Sequence, residues 1–312
     1  MKTRLTRREW IAASGSFAAL ACAPLTTTGE SEEADRNTLP WAKEMNARLA
    51  ELGGNAEGTL GACVIDPRSG AFASWHGDRR FPHCSSFKAS LAAMVLDLDA
   101  RGRIDGDRVL HWSEADLMWV SPFTTRRLDQ GATFLELARA TQVTSDNTAA
   151  NVLLRELGGP ERLTQWWRAL GDRTSRLDGT EPALNRVLPG EVHDTTTPEA
   201  MARTMATTLF GDGLRPSESQ TLANWMVETE TGSRRVRAGL PDGWRAGDKT
   251  GTAMIEGMGS AYVDIGFVVP TGHGPLTFAT YYLDDAVHED MNPQAEAVLA
   301  EVGRAIASVF AR

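Results

Sequence analysis

Only four lysines stand beside 28 arginines in this chain of 312 residues, and one of them, Lys88, follows Ser85 by three positions in Ser85-Ser86-Phe87-Lys88. A serine hydroxyl becomes a nucleophile beside a base, which a desolvated lysine can supply. An arginine cannot, because it does not deprotonate. With four lysines and 17 serines, well under one such spacing is expected by chance; a lysine facing solvent is the competing reading. Ser145-Asp146-Asn147 leads into a helical run, Thr148 to Leu157, where Asp146 reads equally as an ordinary N-cap. Lys249-Thr250-Gly251-Thr252 uses another of the four lysines, and alone such a tripeptide carries little.

Elements on both sides must position these groups. Phe87, Leu91, Met94, Val95 and Leu98 form an apolar stripe ending near Gly102. Ser85 therefore falls in a first helical turn, with Lys88 over the same face. Thr59 to Asp66, a Pro67-Arg68-Ser69-Gly70 turn and Ala71 to Trp75 read as a hairpin. Ala261 to Val269 and Leu276 to Leu283 read as another. Between them lie helices marked by Thr133 with Glu136, by Pro160, by Thr197-Pro198 and by Ser217 with Gln220, and Asn292-Pro293 opens a last one. An isolated hairpin cannot bury a face alone. The expected fold is therefore α/β: an antiparallel sheet built from both chain ends and flanked by helices, with an inserted, mostly helical lobe. The sheet lobe takes residues 39–80 and 226–312, and the helical lobe 81–225. Tryptophans at these spacings read as core.

Taken in order, the three motifs resemble the serine β-lactamases and penicillin-binding proteins. A fourth, Glu181-Pro182-Ala183-Leu184-Asn185 within Arg176 to Glu191, resembles the omega loop of the class A β-lactamases, and the likeness runs from about Trp41 to the C-terminus. The resemblance implies hydrolysis of β-lactams, penicillins and cephalosporins among them, through an acyl-enzyme on Ser85. The backbone N–H groups of Ser85 and Thr252 would hold the oxyanion. Lys88 and Glu181 compete as acylation base, Ser145 relays a proton to the leaving nitrogen, and Asn147 holds Lys88 and the substrate amide. Glu181, with Asn185 positioning a water, serves deacylation. Lys249, Thr250 and Thr252 receive the substrate carboxylate, as does Arg235, for which a solvated surface charge is the alternative. No cofactor and no metal are implied; the six histidines lack an HxHxD cluster. Two other readings stay open: a DD-peptidase or transpeptidase sharing Ser85, Ser145, Asn147 and Lys249, and a β-lactam sensor that acylates without turnover.

Departures from the family pattern carry expectations of their own. Gly179 replaces an arginine that would pair with Asp194, which predicts a looser omega loop open to bulky cephalosporins. Val120 stands where an aromatic gate is usual, with Trp119 beside it, and Ala253 to Tyr262 is longer than usual. Ala253 also removes the cysteine that would bridge to Cys84, so carbapenem hydrolysis is only a weak expectation.

Composition bounds the rest. A net charge of −9 argues against nucleic acid as a partner. Three cysteines without a CxxC spacing argue against a disulfide scaffold or structural zinc. Residues 1–21 read as a signal peptide with a twin-arginine-like Arg7-Arg8 pair, so the product is periplasmic or otherwise exported. Cleavage after Ala21 would leave Cys22 as the new N-terminus, open to a lipid anchor, and would take the charge to about −12. Residues 22–38 read as a flexible tether. No stretch is long and apolar enough to span a membrane, and the enzyme is expected to act as a monomer.

Overall fold

The computed structural model describes residues 39–188, 190–256 and 259–311. The expected signal peptide, the tether and Cys22 lie outside them. Helix α1 (Pro40–Asn55) precedes strands β1 (Thr59–Ile65), β2 (Phe72–Trp75) and β3 (Phe81–Pro82). A 3-10 turn at Cys84–Ser86 then feeds α2 (Phe87–Ala100). Strands β4 (Val109–Leu110) and β5 (Ala132–Thr133) bracket a short α3 (Pro122–Arg126). Helices α4 (Phe134–Val143), α5 (Asn147–Leu157) and α6 (Pro160–Ala169) follow. After the omega loop come β6 (Thr195–Thr196), α7 (Pro198–Phe210) and α8 (Pro216–Val227). The chain ends with β7 (Arg245–Ile255), β8 (Gly259–Val269), β9 (Leu276–Asp284) and α9 (Pro293–Phe310).

The main sheet is antiparallel with order β2-β1-β9-β8-β7, so the first and last strands pair, with Leu60 opposite Tyr282. Alternation along β1 divides its side chains between two cores. Leu60, Ala62 and Val64 pack with Met45, Leu49, Leu299 and Ile306 of α1 and α9. Cys63 and Ile65 face the other core, with Phe87, Leu91 and Trp167.

The expected stripe on α2 is too narrow a description. Phe87 to Leu96 are all buried, because other elements surround the helix rather than covering one side. Thr133 and Glu136 form the reciprocal cap of α4. The expected start of α8 at Ser217 is corrected: Pro216 opens the helix, Arg215 precedes it without a side-chain cap bond, and the Ser217 hydroxyl turns to Glu218. The lysine motif that the sequence placed ahead of the hairpin region lies within β7 itself. Gly251 suits that position because a Cβ there would come within 2.8 Å of Cys84 Cβ and 2.9 Å of Ser85 N. Edge strand and nucleophile turn thus meet at van der Waals contact. Of the long Ala253 to Tyr262 segment, Ala253 to Ile255 pair with Gly259 to Ala261, Ile255 lying opposite Gly259.

Candidate active site

Ser85 leaves the sheet region on a strained turn, with Cys84 at φ 45°. The main chain of His83 anchors the turn on both sides: its N–H donates to Asp194 O at 3.0 Å, and its carbonyl accepts from Ser86 N at 3.0 Å. One helical turn later, Lys88 Nζ lies 2.8 Å from Ser85 Oγ and 3.0 Å from Ser145 O. It also contacts Asn147 Oδ1 and stands 3.0 Å from Glu181 Oε1. An ammonium has three protons, so these partners must share them. Burial lowers the Lys88 pKa, against the opposing pull of Glu181.

The N-cap reading of Asp146 holds, and the residue also does more. Its carboxylate accepts from Ala149 N at 2.8 Å and from Phe123 N and Thr124 N at 3.0 Å. That ties the rim segment to the first turn of α5 and leaves Ser145 (φ 59°) and Asn147 facing the site. Asn147 Nδ2 donates to Trp119 O at 2.8 Å and its N–H to Val120 O at 2.9 Å. Val120, a β-branched residue at φ 55°, is held there against its backbone preference. Both Trp119 and Val120 are exposed and line the cavity.

Glu181 is fixed from two directions. Its main chain exchanges hydrogen bonds with the Asn151 amide at 3.0 and 2.9 Å, and Asn185 Nδ2 donates to Oε2 at 2.7 Å. Ser85 Oγ donates to Oε1 at 3.0 Å. Burial opposes ionisation of this carboxyl, but Lys88, followed by Asn185 and Ser85, outweighs it and holds the pKa below the usual value. Asn151 was missed in the sequence, although its place one turn after Asn147 on the same helix was a usable signal.

Alternation along β7 turns Lys249 toward the helical side, where Nζ reaches Ser145 Oγ at 3.0 Å. Burial, reinforced by repulsion from Lys88, lowers its pKa well below the ordinary range. Thr250 Oγ1 pairs with Thr231 Oγ1 at 2.6 Å, a contact the sequence did not suggest. Arg235 corrects an expectation. It is neither a solvated charge nor a wall of the cavity, but 1 % exposed behind Thr252. Its guanidinium donates to Gly251 O at 2.7 Å, Val263 O at 2.6 Å and Thr252 Oγ1 at 2.5 Å, with Glu296 at 3.4 Å. A planar five-donor group on three acceptors explains why the interior tolerates it.

Ser85, Ser145, Asn147, Glu181, Asn185, Thr250 and Thr252 all border one cavity of about 330 Å³, with Lys88 and Lys249 buried beneath it. Hollows of about 420 and 630 Å³ elsewhere are larger, but neither is bordered by Ser85, Ser145 or Glu181. Among the described residues, no group of three or more His, Cys, Asp or Glu could hold a metal ion.

Residues 43–310 match the sequence family described as "Beta-lactamase enzyme family". Beta-lactamase AST-1 of Nocardia asteroides is 37% identical, covering 97% of this chain and 96% of that protein. Carbapenem-hydrolyzing beta-lactamase KPC of Klebsiella oxytoca is 38% identical over 82% of this chain and 85% of its own. Among solved structures, an ancestral class A beta-lactamase superposes with a TM-score of 0.80 at 44% identity, covering 85% of this chain and 100% of that one.

Proposed function

The chain belongs to the class A serine β-lactamases and hydrolyses β-lactams, and on that footing we propose how its residues divide the work. Ser85 Oγ attacks the lactam carbonyl, accepting a hydrogen bond from Lys88 while donating its own proton toward Glu181. Lys88 Nζ at 2.8 Å also lies within reach of that proton, so acylation keeps a base when Glu181 is displaced or neutralised. The N–H groups of Ser85 and Thr252 stabilise the oxyanion. Ser145 passes a proton to the departing nitrogen, and Lys249 at 3.0 Å keeps its hydroxyl oriented. Glu181, steadied by Asn185, then activates the water that hydrolyses the ester. Thr250 and Thr252 receive the substrate carboxylate, and Arg235 and Lys249 supply positive charge from behind them.

The observation that carries this reading is the convergence of Lys88 Nζ, Ser85 Oγ and Glu181 Oε1 within 3.0 Å of one another. Penicillins and cephalosporins are the proposed substrates. Export of a monomer through the twin-arginine-like leader, with a lipid at Cys22 if cleavage falls there, completes the proposal. It is supported by the leader sequence, and no helix among the described residues is long and apolar enough to cross a membrane. Hydrolysis of a chromogenic cephalosporin tests the mechanism. Many turnovers are expected from the native enzyme, and a stable acyl-enzyme on Ser85 in Glu181→Gln. A single stoichiometric burst from the native enzyme, or fast deacylation in the variant, would overturn it.

A further inference from the structure

His83 is fully buried next to the nucleophile turn, yet no step above uses its side chain. The imidazole lies flat on Trp167 of α6, with centroids 4.9 Å apart and planes at 10°. The main chains of Thr195 and Arg176, the two sides of the omega-loop neck, also lie near the ring and are joined by Arg176 N to Thr195 O at 3.1 Å. Neither ring nitrogen makes a hydrogen bond of good geometry, although both main chains lie near enough to favour the charged form slightly.

The charged side chains that act on the ring, Asp172 and Arg80, are engaged elsewhere, as are Arg168 and Arg176 around them. Asp172 accepts from Thr174 N, Ser175 N and Thr204 Oγ1. Arg80 donates to Thr174 O and Thr195 Oγ1. Arg168, from α6, donates to Asp172 O and Ser175 O, and Arg176 pairs with Asp178. The ring is therefore a neutral, stacked wedge between α6 and the neck. The bonds that shape the nucleophile turn, by contrast, come from the His83 main chain and survive any side-chain change.

We propose that the His83 imidazole is a positioning residue for the omega loop, clamping its neck onto Trp167 so that Glu181 and Asn185 stay set for deacylation while acylation proceeds without it. Burial holds the imidazole pKa down to about 4, so the wedge stays neutral across the working range. Protonation at lower pH would force a charge into this unsatisfied site and release the neck.

The inference rests on the deacylation role given to Glu181. It is tested with the full-length enzyme and the variants His83→Ala, His83→Phe and Glu181→Gln. When deacylation slows, kcat and KM fall together while kcat/KM, which reports acylation, stays put. In His83→Ala, kcat and KM should both drop on the order of tenfold, as expected for a slightly misplaced general base. Acyl-enzyme should then accumulate on Ser85 in intact-mass spectra, and His83→Phe, which keeps the stack, should restore kcat. In the native enzyme, protection from hydrogen exchange across 176–195, taken relative to the intrinsic rate at each pH, should fall as pH falls through about 4, a change His83→Phe should lack. A fall in kcat/KM matching that in kcat, no rescue by phenylalanine, or the same pH response in native and Phe enzymes overturns the inference. Because the native exchange profile needs no substitution, a variant that fails to fold does not shield it. If Glu181→Gln traps the acyl-enzyme and His83→Ala does not, only the His83 inference falls; if neither traps it, the underlying mechanism falls.

Discussion

Substituting Gly179 by arginine addresses the neck of the omega loop directly. The sequence suggests that glycine leaves Asp194 without a partner, but the carboxylate is not idle. Asp194 Oδ1 accepts from both Asp178 N and Gly179 N at 2.8 Å. Burial nevertheless raises the Asp194 pKa, and those two bonds only partly offset it. Glycine is not required by the backbone here, since φ lies outside the left-handed region. A Cβ would sit 3.2 Å from Leu184 N and 3.3 Å from Asp194 Oδ2, so the gain requires the Leu184 main chain to give by a few tenths of an ångström. A guanidinium beside Asp194 should add about 0.5–1 kcal/mol, as a partly exposed ion pair does. Restricting the unfolded chain adds about 0.5–1 kcal/mol more. The sum, about 1–2 kcal/mol, corresponds to a rise in Tm of about 2–5 °C for a domain of this size.

The pH dependence has a definite sign. With its folded pKa raised, Asp194 is at its most favourable when protonated, and stability is lost as pH rises through its folded pKa. Arginine would reverse that shift, so the ion-pair part of its benefit should be full at neutral pH and vanish below the carboxylate range, leaving only the part from the restricted unfolded chain. Differential scanning calorimetry across pH, with hydrogen exchange over 176–194, reads both effects. A Tm gain as large at acid pH as at neutral pH, or unchanged exchange in the loop, would refute the reasoning. The same variant should lose kcat/KM for bulky cephalosporins relative to small penicillins.

Other perturbations follow from the site. Arg235→Ala strips the buried partner from Glu296 and leaves Gly251 O and Val263 O without it. A loss of about 3–5 kcal/mol in denaturant unfolding is expected, and a loss under 1 kcal/mol would show that the cluster needs no cation. Asn147→Leu removes the Lys88 acceptor and the donor to Trp119 O. It should lower kcat/KM by about a hundredfold or more, and a drop under tenfold counts against the assigned role. Cys63 and Cys84 are free and buried, and burial pushes the Cys84 thiol up to about 12. Both should resist a thiol reagent until the protein is denatured; fast labelling of either in the folded enzyme would contradict that burial.

Much of this arrangement was legible in the residues. Strand-like runs on either side of turn residues marked the outer hairpins, and capping residues marked α4 and α9, because these are local signals. The motif order gave Ser85, Lys88, Ser145, Asn147 and Glu181 their candidacy. What escaped were relations across the chain. Nothing near Arg235 says that it will be buried behind Thr252, since its acceptors come from β7 and β8. Nothing local explains Gly251 until the nucleophile turn is seen pressed against it. The two backbone donors on Asp194 are visible only once the loop closes, so a missing arginine suggested more slack than the carboxylate shows.

The pairing of β1 with β9 sets a timetable for biosynthesis. Gly58 N–H meets the hydroxyl of Tyr282, 224 positions away. At about 5–20 residues per second, a ribosome needs on the order of ten seconds or more to cover that gap. Throughout it β1 has no partner on one edge, and the core behind it lacks α9. A nascent helical lobe could gather early, since its contacts are more local, but the lysine of β7 reaches Ser145 only near the end of synthesis. Activity should therefore appear abruptly with chain completion, and a stop codon even one helix early should yield a chain destined for proteolysis rather than a weakened enzyme.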